Sequence, residues 1–220
     1  IIQTLYRQID RQTYSQQTTQ NKLAMKDFVY LASQSPRRKQ LLEQIGVRYE
    51  LLLATPDEDA ESLERVIPGE APLTYVKRVT QLKLEAAVKR MQARGLKPAP
   101  VLCADTTVAL GRVILGKPEN AQDAVRILKT LSDQTHRVLT AVAVASGRRR
   151  LLSVSVSKVT FAPMKLSEIK AYVASGEPFG KAGAYGVQGM AAAYISDIQG
   201  SYTGIMGLPL FETSVLLKNI

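Results

Sequence analysis

The chain has 220 residues, 45% of them apolar, which suits a single globular domain or two closely packed lobes. Its 29 lysines and arginines against 19 acidic residues give a formal net charge of +10, which attracts phosphorylated partners at long range. A single cysteine excludes an intramolecular disulfide and suits a reducing cytoplasm.

The N-terminal segment differs in composition from the rest of the chain. Its first 24 residues are rich in Gln and Thr and contain no continuous apolar stretch, so we do not expect a signal peptide. We predict that residues 1–24 form a mobile N-terminal extension or an expression remnant, and that residues 25–220 form the folded domain. No stretch of the chain approaches the roughly 18 apolar residues of a membrane span, so we expect a soluble protein without a membrane partner.

The first predicted unit is a strand, a tight turn and a helix. Apolar residues 28–32 lead into the turn at 33–36, and helical spacing follows until Gly46. This order predicts Ser35 as the N-cap, Pro36 in the first helical turn and Gly46 beyond the C-terminus. Hydroxyls and cations at a helix N-terminus indicate a phosphate site, but a capped surface helix explains the pattern equally well.

Two further strands are separated by an acidic loop and a long helix. The pattern predicts a strand at 49–53 and a helix at 73–91, the latter from its 3.6-residue apolar period. The apolar run 101–104 predicts a buried strand that delivers Asp105 and Thr106 at its carboxyl end. Ligand sites lie at such ends in open α/β sheets.

The remainder of the chain also mixes strands and helices. The predicted elements are a hairpin at 108–115, a helix at 120–131, strands at 138–145 and 151–161, a helix at 166–174, a Gly-rich loop, a strand at 194–198 and a helix at 208–217. A shift of apolar phase between Val156 and Val159 predicts a bulge. The whole pattern predicts an α/β domain with a central mixed sheet flanked by helices.

Two carboxylates are the candidates for chemistry. Asp105 follows an apolar strand, where an ionised carboxylate needs a cation or hydrogen-bond donors. Glu58, in the acidic loop, is the candidate for a second carboxylate, and such a pair suits Mg²⁺ or Mn²⁺. The alternatives are a strand-end capping residue for Asp105 and a solvated loop charge for Glu58.

Three lysines are candidate ligands of an anion. Lys83 lies on the predicted long helix, whereas Lys117 and Lys181 stand beside glycines that let a ligand approach the backbone. Each is equally consistent with a solvated surface charge. His136, the only histidine, lacks the partners of a zinc site or a catalytic triad, so we predict a structural or surface role. Cys103 is predicted to be a small buried apolar residue.

Six motifs follow one another along the chain. They are Ser-Gln-Ser-Pro-Arg-Arg at 33–38, Ala-Asp-Thr at 104–106, Gly-Lys-Pro at 116–118, and the segments 131–140, 180–189 and 200–213. This set resembles the Maf family of nucleoside triphosphate pyrophosphatases over nearly all of the chain after residue 24. The resemblance implies a fold like that of the inosine-triphosphate pyrophosphatases, with an active-site cleft, a divalent metal such as Mg²⁺ or Mn²⁺, and a homodimer.

The resemblance also implies roles for individual residues. Asp105 matches a proton acceptor that activates water for attack on the α-phosphorus, and Glu58 and Asp105 match metal-binding positions. Substrate-binding roles are implied for Ser33, Arg37, Arg38, Lys83, Thr106, Lys117, Lys181 and Gln188. Among these, Arg37, Thr106 and Gln188 match positions linked to base selection.

The segment 181–189 resembles the dTTP/UTP branch of the family. The 7-methyl-GTP branch usually has a cysteine before the Ala-Gly pair and Ser-Glu in place of Val187 and Gln188. The implied reaction is hydrolysis of dTTP or UTP, including modified pyrimidine nucleotides, to the monophosphate and pyrophosphate. Asp133 and Thr107 depart from the usual family residues, but neither departure removes a charged site residue.

A different class of function competes with this interpretation. The charge of +10 also fits a basic nucleic-acid-binding or division-regulating protein. The basic residues are dispersed, however, and aromatic residues that could stack on bases make up only 6% of the chain, without a tryptophan. An inert paralogue would be expected to have lost the charged site residues, which are all present. We therefore expect no specific nucleic-acid partner.

Overall fold

The computed structural model describes residues 28–55, 57–59 and 62–220, so the predicted extension at 1–24 lies outside the described residues. The strands are β1 (Val29–Leu31), β2 (Tyr49–Leu51), β3 (Val101–Leu110), β4 (Val113–Leu115), β5 (Thr135–Ser146), β6 (Arg149–Phe161) and β7 (Ile195–Gln199). The α-helices are α1 (Pro36–Gln44), α2 (Pro72–Ala93), α3 (Ala121–Leu131), α4 (Leu166–Ala174), α5 (Tyr202–Met206) and α6 (Leu210–Lys218). Among the described helices, none combines the length and the apolar character of a membrane crossing.

The strands form one mixed sheet in the order β2-β1-β3-β5-β6-β7, with β4 paired to β3. Strand β1 pairs in parallel with β2 and β3, whereas the other pairs are antiparallel. The long β5–β6 hairpin turns at Gly147, whose φ of 55° is unfavourable for a residue with a Cβ. The predicted α/β architecture around a mixed sheet is confirmed.

Alternation along β3 divides the core into two faces. Leu102 packs with Leu41 of α1 and Leu216 of α6, whereas Cys103 packs with Leu84 of α2 on the other face. Each fully buried leucine contributes roughly 1.5–3 kcal/mol of transfer free energy, which fixes these helices against the sheet. Even-numbered residues in this part of β3 therefore face α1 and α6, and odd-numbered residues face α2. Burial raises the pKa of Cys103 to about 12, in keeping with the predicted inert role.

One edge of β3 is interrupted. Strand β1 pairs with β3 as far as Leu31 opposite Leu102, and β4 begins its pairing at Leu115 opposite Val108. Residues 103–107 thus have no strand partner on this edge within the described part of the chain, although β5 continues along the other edge. The gap allows side chains from both faces of the sheet to reach one shared space.

The structure corrects the predicted end of this strand. We expected the strand to stop at residue 104 and to deliver Asp105 at its carboxyl end. The antiparallel ladder with β5 instead continues through Thr106 opposite Thr140, and β3 ends at Leu110. Asp105 therefore lies in the middle of a strand, beside the gap, and the predicted hairpin comprises the end of β3 and β4.

The predicted bulge between Val156 and Val159 is wrong. The register of β6 against β5 runs without interruption, because the small serines at alternate positions fit a regular pleat. The irregularity lies instead at Thr160 and Phe161, where β6 pairs with β7.

Helix ends also differ in detail from expectation. Ser35 occupies the N-cap position of α1 and Pro36 follows it as predicted, but the Ser35 side chain makes no capping bond. Its backbone N–H donates to Ser33 Oγ at 3.2 Å instead. The predicted C-terminal helix begins only at Leu210, and the short helix α5 that precedes it, which ends at Met206 and is capped by Gly207, was not predicted.

Candidate active site

A cleft of about 1200 Å³ opens at the gap beside β3. Its volume is sufficient for a nucleotide-sized ligand. All ten residues that the sequence proposed for the site line this cleft: Ser33, Arg37, Arg38, Glu58, Lys83, Asp105, Thr106, Lys117, Lys181 and Gln188. The fold thus brings together residues from α1, α2, β3 and four loops.

Asp105 faces α2 because it is an odd-numbered residue of β3. Only 8% of the residue is exposed, and its Oδ1 accepts a hydrogen bond of 2.6 Å from Lys83 Nζ. Burial by itself lowers the pKa of Lys83, but the nearby carboxylates of Asp105 and Glu64 outweigh it and raise that pKa overall. Lys83 is therefore a charged partner that holds the buried Asp105 side chain in place.

Glu64 is a site residue that the sequence did not reveal. Its Oε1 accepts from Lys83 Nζ at 2.7 Å and its Oε2 accepts from Lys117 Nζ at 2.9 Å. Burial raises the pKa of Glu64, but the two lysines outweigh it and lower the pKa overall. Asp105, Lys83, Glu64 and Lys117 form a series of alternating charges, which we call the paired wall of the cleft. Nothing in the local pattern distinguished Glu64 from the other acidic residues of its loop.

Glu58 also lies in the cleft, but its ion pair is with Arg90 rather than with Lys83 or Lys117. Arg90 donates to Glu58 from Nε at 2.8 Å and from Nη2 at 2.5 Å, and this bonding lowers the pKa of Glu58 to about 2. Arg90 stands two helical turns beyond Lys83 on α2, a rise of about 10 Å. Glu58 and Asp105 are thus held by separate cations, and their joint role as metal ligands stays a prediction.

The opposite side of the cleft carries cations with neutral partners. Thr106 faces α1, where Arg38 donates to Thr106 Oγ1 at 3.4 Å, to Ser33 Oγ at 3.0 Å and to the Gly207 carbonyl at 2.8 Å. Arg37 donates to the Met206 carbonyl at 3.1 Å. Burial lowers the pKa of both arginines, yet a guanidinium retains its charge at neutral pH.

Lys181 completes this second side. Its ammonium donates to the Glu177 carbonyl, and burial, with a smaller effect from Arg37, lowers its pKa. Within the part of the chain that the structure describes, Arg37, Arg38 and Lys181 form no ion pair with a carboxylate. We call these three residues the open wall, because none of them is in direct contact with a carboxylate in the part of the chain that the structure describes.

Buried aromatic contacts hold the Gly-rich loop that carries Lys181 in place. Tyr185 is buried, and its hydroxyl lies 2.8 Å from His136 Nε2, while its ring lies 4.9 Å from that of Phe161. Gly183 has a φ of 71°, and a Cβ there would lie 2.9 Å from Val108, so only glycine fits. His136 is a buried structural residue, as one of the two predicted alternatives proposed, whereas Gln188 is exposed at the cleft edge.

The arrangement suits a polyanion next to a reactive carboxylate. The open wall offers fixed positive charge, and the paired wall holds the Asp105 side chain against Lys83 at the gap in the sheet. Among the described residues, no group of three His, Cys, Asp or Glu side chains could enclose a metal ion alone. Mg²⁺ commonly takes one or two carboxylates together with nucleotide phosphates as its ligands.

Comparison with known proteins agrees with this geometry. A family model described as Maf-like protein matches residues 28–220. A dTTP/UTP pyrophosphatase of Polaromonas sp. is 67% identical over 192 residues, which cover 87% of this chain and 95% of that protein. A dTTP/UTP pyrophosphatase of Albidiferax ferrireducens is 64% identical, covering 89% and 98% of the two chains. The solved Ham1 protein of Staphylococcus aureus shows 15% identity and a TM-score of 0.44, covering 63% of this chain and 74% of that one.

Proposed function

The chain belongs to the Maf-like protein family, and we propose from this premise that it is a nucleoside triphosphate pyrophosphatase that hydrolyses dTTP and UTP to the monophosphate and pyrophosphate. The observation that carries the proposal is the cleft beside β3, where a buried carboxylate faces a group of cations that make no direct ion pair among the described residues. The names of relatives that are 58–67% identical support the choice of substrate.

The open wall binds the triphosphate in this proposal. Arg37, Arg38 and Lys181 are already oriented by carbonyl and hydroxyl acceptors, so their charges meet the phosphates without a large reorganisation. Fixed donors of this kind stabilise the charge that develops on phosphate oxygens during the reaction. Lys83 and Lys117 supply further positive charge from the paired wall.

Asp105 accepts the proton of the attacking water. The water oxygen forms a bond to the α-phosphorus, the bond between that phosphorus and the bridging oxygen breaks, and pyrophosphate leaves. The proton moves to a carboxylate oxygen of Asp105, while Lys83, bound to Oδ1 at 2.6 Å, holds the carboxylate in place. Its position in mid-strand makes Asp105 rigid, because both neighbours take part in the ladder with β5.

A divalent cation, Mg²⁺ or Mn²⁺, fits this donor set if the substrate contributes ligands. Asp105 offers a hard carboxylate oxygen, and one or two carboxylates plus phosphates commonly suffice for Mg²⁺. Glu58 is the second proposed ligand, and it would exchange Arg90 for the cation. Such an ion neutralises phosphate charge and polarises the reacting phosphorus.

A nucleotide panel tests the proposal. We expect pyrophosphate release from dTTP and UTP, less from CTP, and little from GTP or 7-methyl-GTP at equal concentration. Preference for a guanine nucleotide would reject the dTTP/UTP assignment and retain the pyrophosphatase. A duplex-DNA titration at physiological salt serves as the comparison, and tight binding without hydrolysis would favour the nucleic-acid alternative.

We also propose that the chain forms a homodimer in the cytoplasm. Phe211 on α6 supports a contact surface, since 78% of this large apolar residue is exposed. Light scattering should give twice the mass of one chain, and Phe211→Glu should shift the distribution towards monomer. A monomeric parent at micromolar concentration would contradict this proposal.

A further inference from the structure

Glu64 binds both of the lysines that the paired wall offers to a substrate. We propose that its carboxylate takes the place of a substrate phosphate, holding Lys83 and Lys117 in position until the triphosphate displaces it. Glu64 is then a positioning residue of the reaction. This inference rests on the proposed function, which supplies the displacing phosphate.

The bonding of Glu64 matches that expected of a phosphate group. Two separate oxygens of one anion accept from two ammonium groups, at 2.7 Å for Lys83 and 2.9 Å for Lys117. Charge-assisted bonds from an ammonium to a phosphate oxygen have the same length, about 2.7–2.9 Å. A phosphate can therefore replace the carboxylate without moving either lysine far.

The ion pairs at the two ends of the paired wall differ in how readily an incoming phosphate can break them. Asp105 is buried, and its ion pair with Lys83 has side-chain exposures of 11% and 20%. The pair of Lys117 and Glu64 has exposures of 56% and 31%, so water screens it and its net contribution is small. A phosphate entering between the lysines would repel Glu64, so the two more exposed pairs that Glu64 makes break, whereas the buried pair of Asp105 and Lys83 remains.

The backbone around Glu64 is anchored while its side chain projects into the cleft. The hydroxyl of Tyr75 on α2 donates to the Glu64 carbonyl at 2.8 Å, and Arg78 donates to the Arg65 carbonyl at 2.9 Å. Arg78 is itself bound to Glu70 at 2.6 Å. Rotation of the Glu64 side chain alone therefore releases both lysines, without a rearrangement of the loop.

Binding of inorganic pyrophosphate, measured calorimetrically in the presence of EDTA, tests the displacement without turnover or metal. Glu64→Gln should bind pyrophosphate roughly two- to five-fold more tightly, the range that releasing a partly exposed ion pair supports. Asp57→Asn is the matched control, because Asp57 lines the same cleft, yet among the described residues it makes no ion pair with either lysine. It loses the same charge and should change the affinity by less than about two-fold.

Steady-state kinetics provides the second measurement. The Glu64→Gln change should lower KM for dTTP, with the effect on KM rather than on kcat. Weaker pyrophosphate binding or a higher KM would overturn the proposal and make Glu64 a structural anchor of the lysines. A loss of Mn²⁺ affinity, measured directly by titration, would overturn it in favour of a metal ligand.

The outcomes also separate this inference from the proposed function. If the parent hydrolyses dTTP but Glu64→Gln leaves pyrophosphate affinity unchanged, only the role of Glu64 fails. If the parent hydrolyses no nucleotide while Glu64→Gln still tightens pyrophosphate binding, the proposed function fails and the phosphate-like role of the carboxylate stands.

Discussion

The two walls of the cleft begin at consecutive residues of one strand, but the cations of the two walls have different kinds of partner. Asp105 faces α2 and starts the paired wall, in which each cation meets a carboxylate. Thr106 faces α1 and contacts the open wall, whose cations donate to carbonyl and hydroxyl oxygens. Neutral acceptors orient a guanidinium without cancelling its charge. The open wall therefore attracts an anion, and the paired wall holds the proposed reactive carboxylate in a fixed position.

Removal of the reactive carboxylate should have the largest effect. Asp105→Asn retains the shape of the side chain, but the amide cannot accept a proton from water, so kcat should fall by roughly 10²–10⁴. A pyrophosphate-release assay measures the loss. Thermal melting is the control, and it should change little because Lys83 keeps its bond to Glu64. Turnover within a few-fold of the parent would show that Asp105 is not the base.

Removal of a cation should lower kcat/KM more on the open wall than on the paired wall. Arg37→Ala removes a charge that makes no direct ion pair among the described residues and should lower kcat/KM by roughly 10²–10³. Lys117→Ala should cost less, because Glu64 already offsets part of its charge. Arg126→Ala, which removes an exposed arginine that is paired with Asp123, is the control for net charge. Equal losses for Arg37 and Lys117 would remove the distinction between the walls, and a parallel drop in melting temperature would indicate a structural role.

Substitution of Gln188, the proposed base-selecting residue at the edge of the cleft, should have a moderate effect on kcat/KM. The Gln188 amide can pair with the O4 and N3–H edge of thymine or uracil, whereas cytosine presents the opposite donors and acceptors. Because Gln188 is exposed, water compensates part of a mismatch. Gln188→Glu should therefore lower kcat/KM for dTTP by only about three- to ten-fold. Parallel measurements with dTTP and CTP give the ratio of kcat/KM for the two nucleotides in the parent and in the variant. An unchanged ratio would exclude Gln188 from base selection.

The smallest expected effect is a pH-dependent change in thermal stability. It arises from His136, which contacts Tyr185 in the Gly-rich loop that carries Lys181. Burial lowers the pKa of His136 from 6.5 to about 4, so the unfolded chain binds a proton that the folded chain does not. The stabilisation is complete above pH 6.5 and declines as the pH falls towards 4. Melting temperatures between pH 6.5 and 5 should decrease in the parent. In His136→Gln they should vary less, since no other histidine is present. Equal slopes would contradict a buried neutral histidine.

Sequence periodicity predicted most elements because it reports local burial. Helices α3 and α4 follow their predicted limits to within a residue, and the mixed sheet follows from the alternation of strands and helices. The gap beside β3 could not be predicted, because it depends on where two other strands stop pairing. All ten proposed site residues line the cleft. Glu64 escaped notice because its partners, Lys83 and Lys117, are distant in sequence and no local pattern marks a long-range ion pair.

The carbonyls that orient the open wall have a consequence for biosynthesis. Arg37 and Arg38 precede their acceptors, Met206 and Gly207, by 169 residues. Synthesis proceeds from the N-terminus, so a nascent polypeptide carries both arginines before it contains the groups that orient them. A chain that terminates before Met206 retains the reactive carboxylate and every cation of the cleft, yet it lacks the oriented anion site. Formation of the oriented anion site therefore requires synthesis to have passed Gly207.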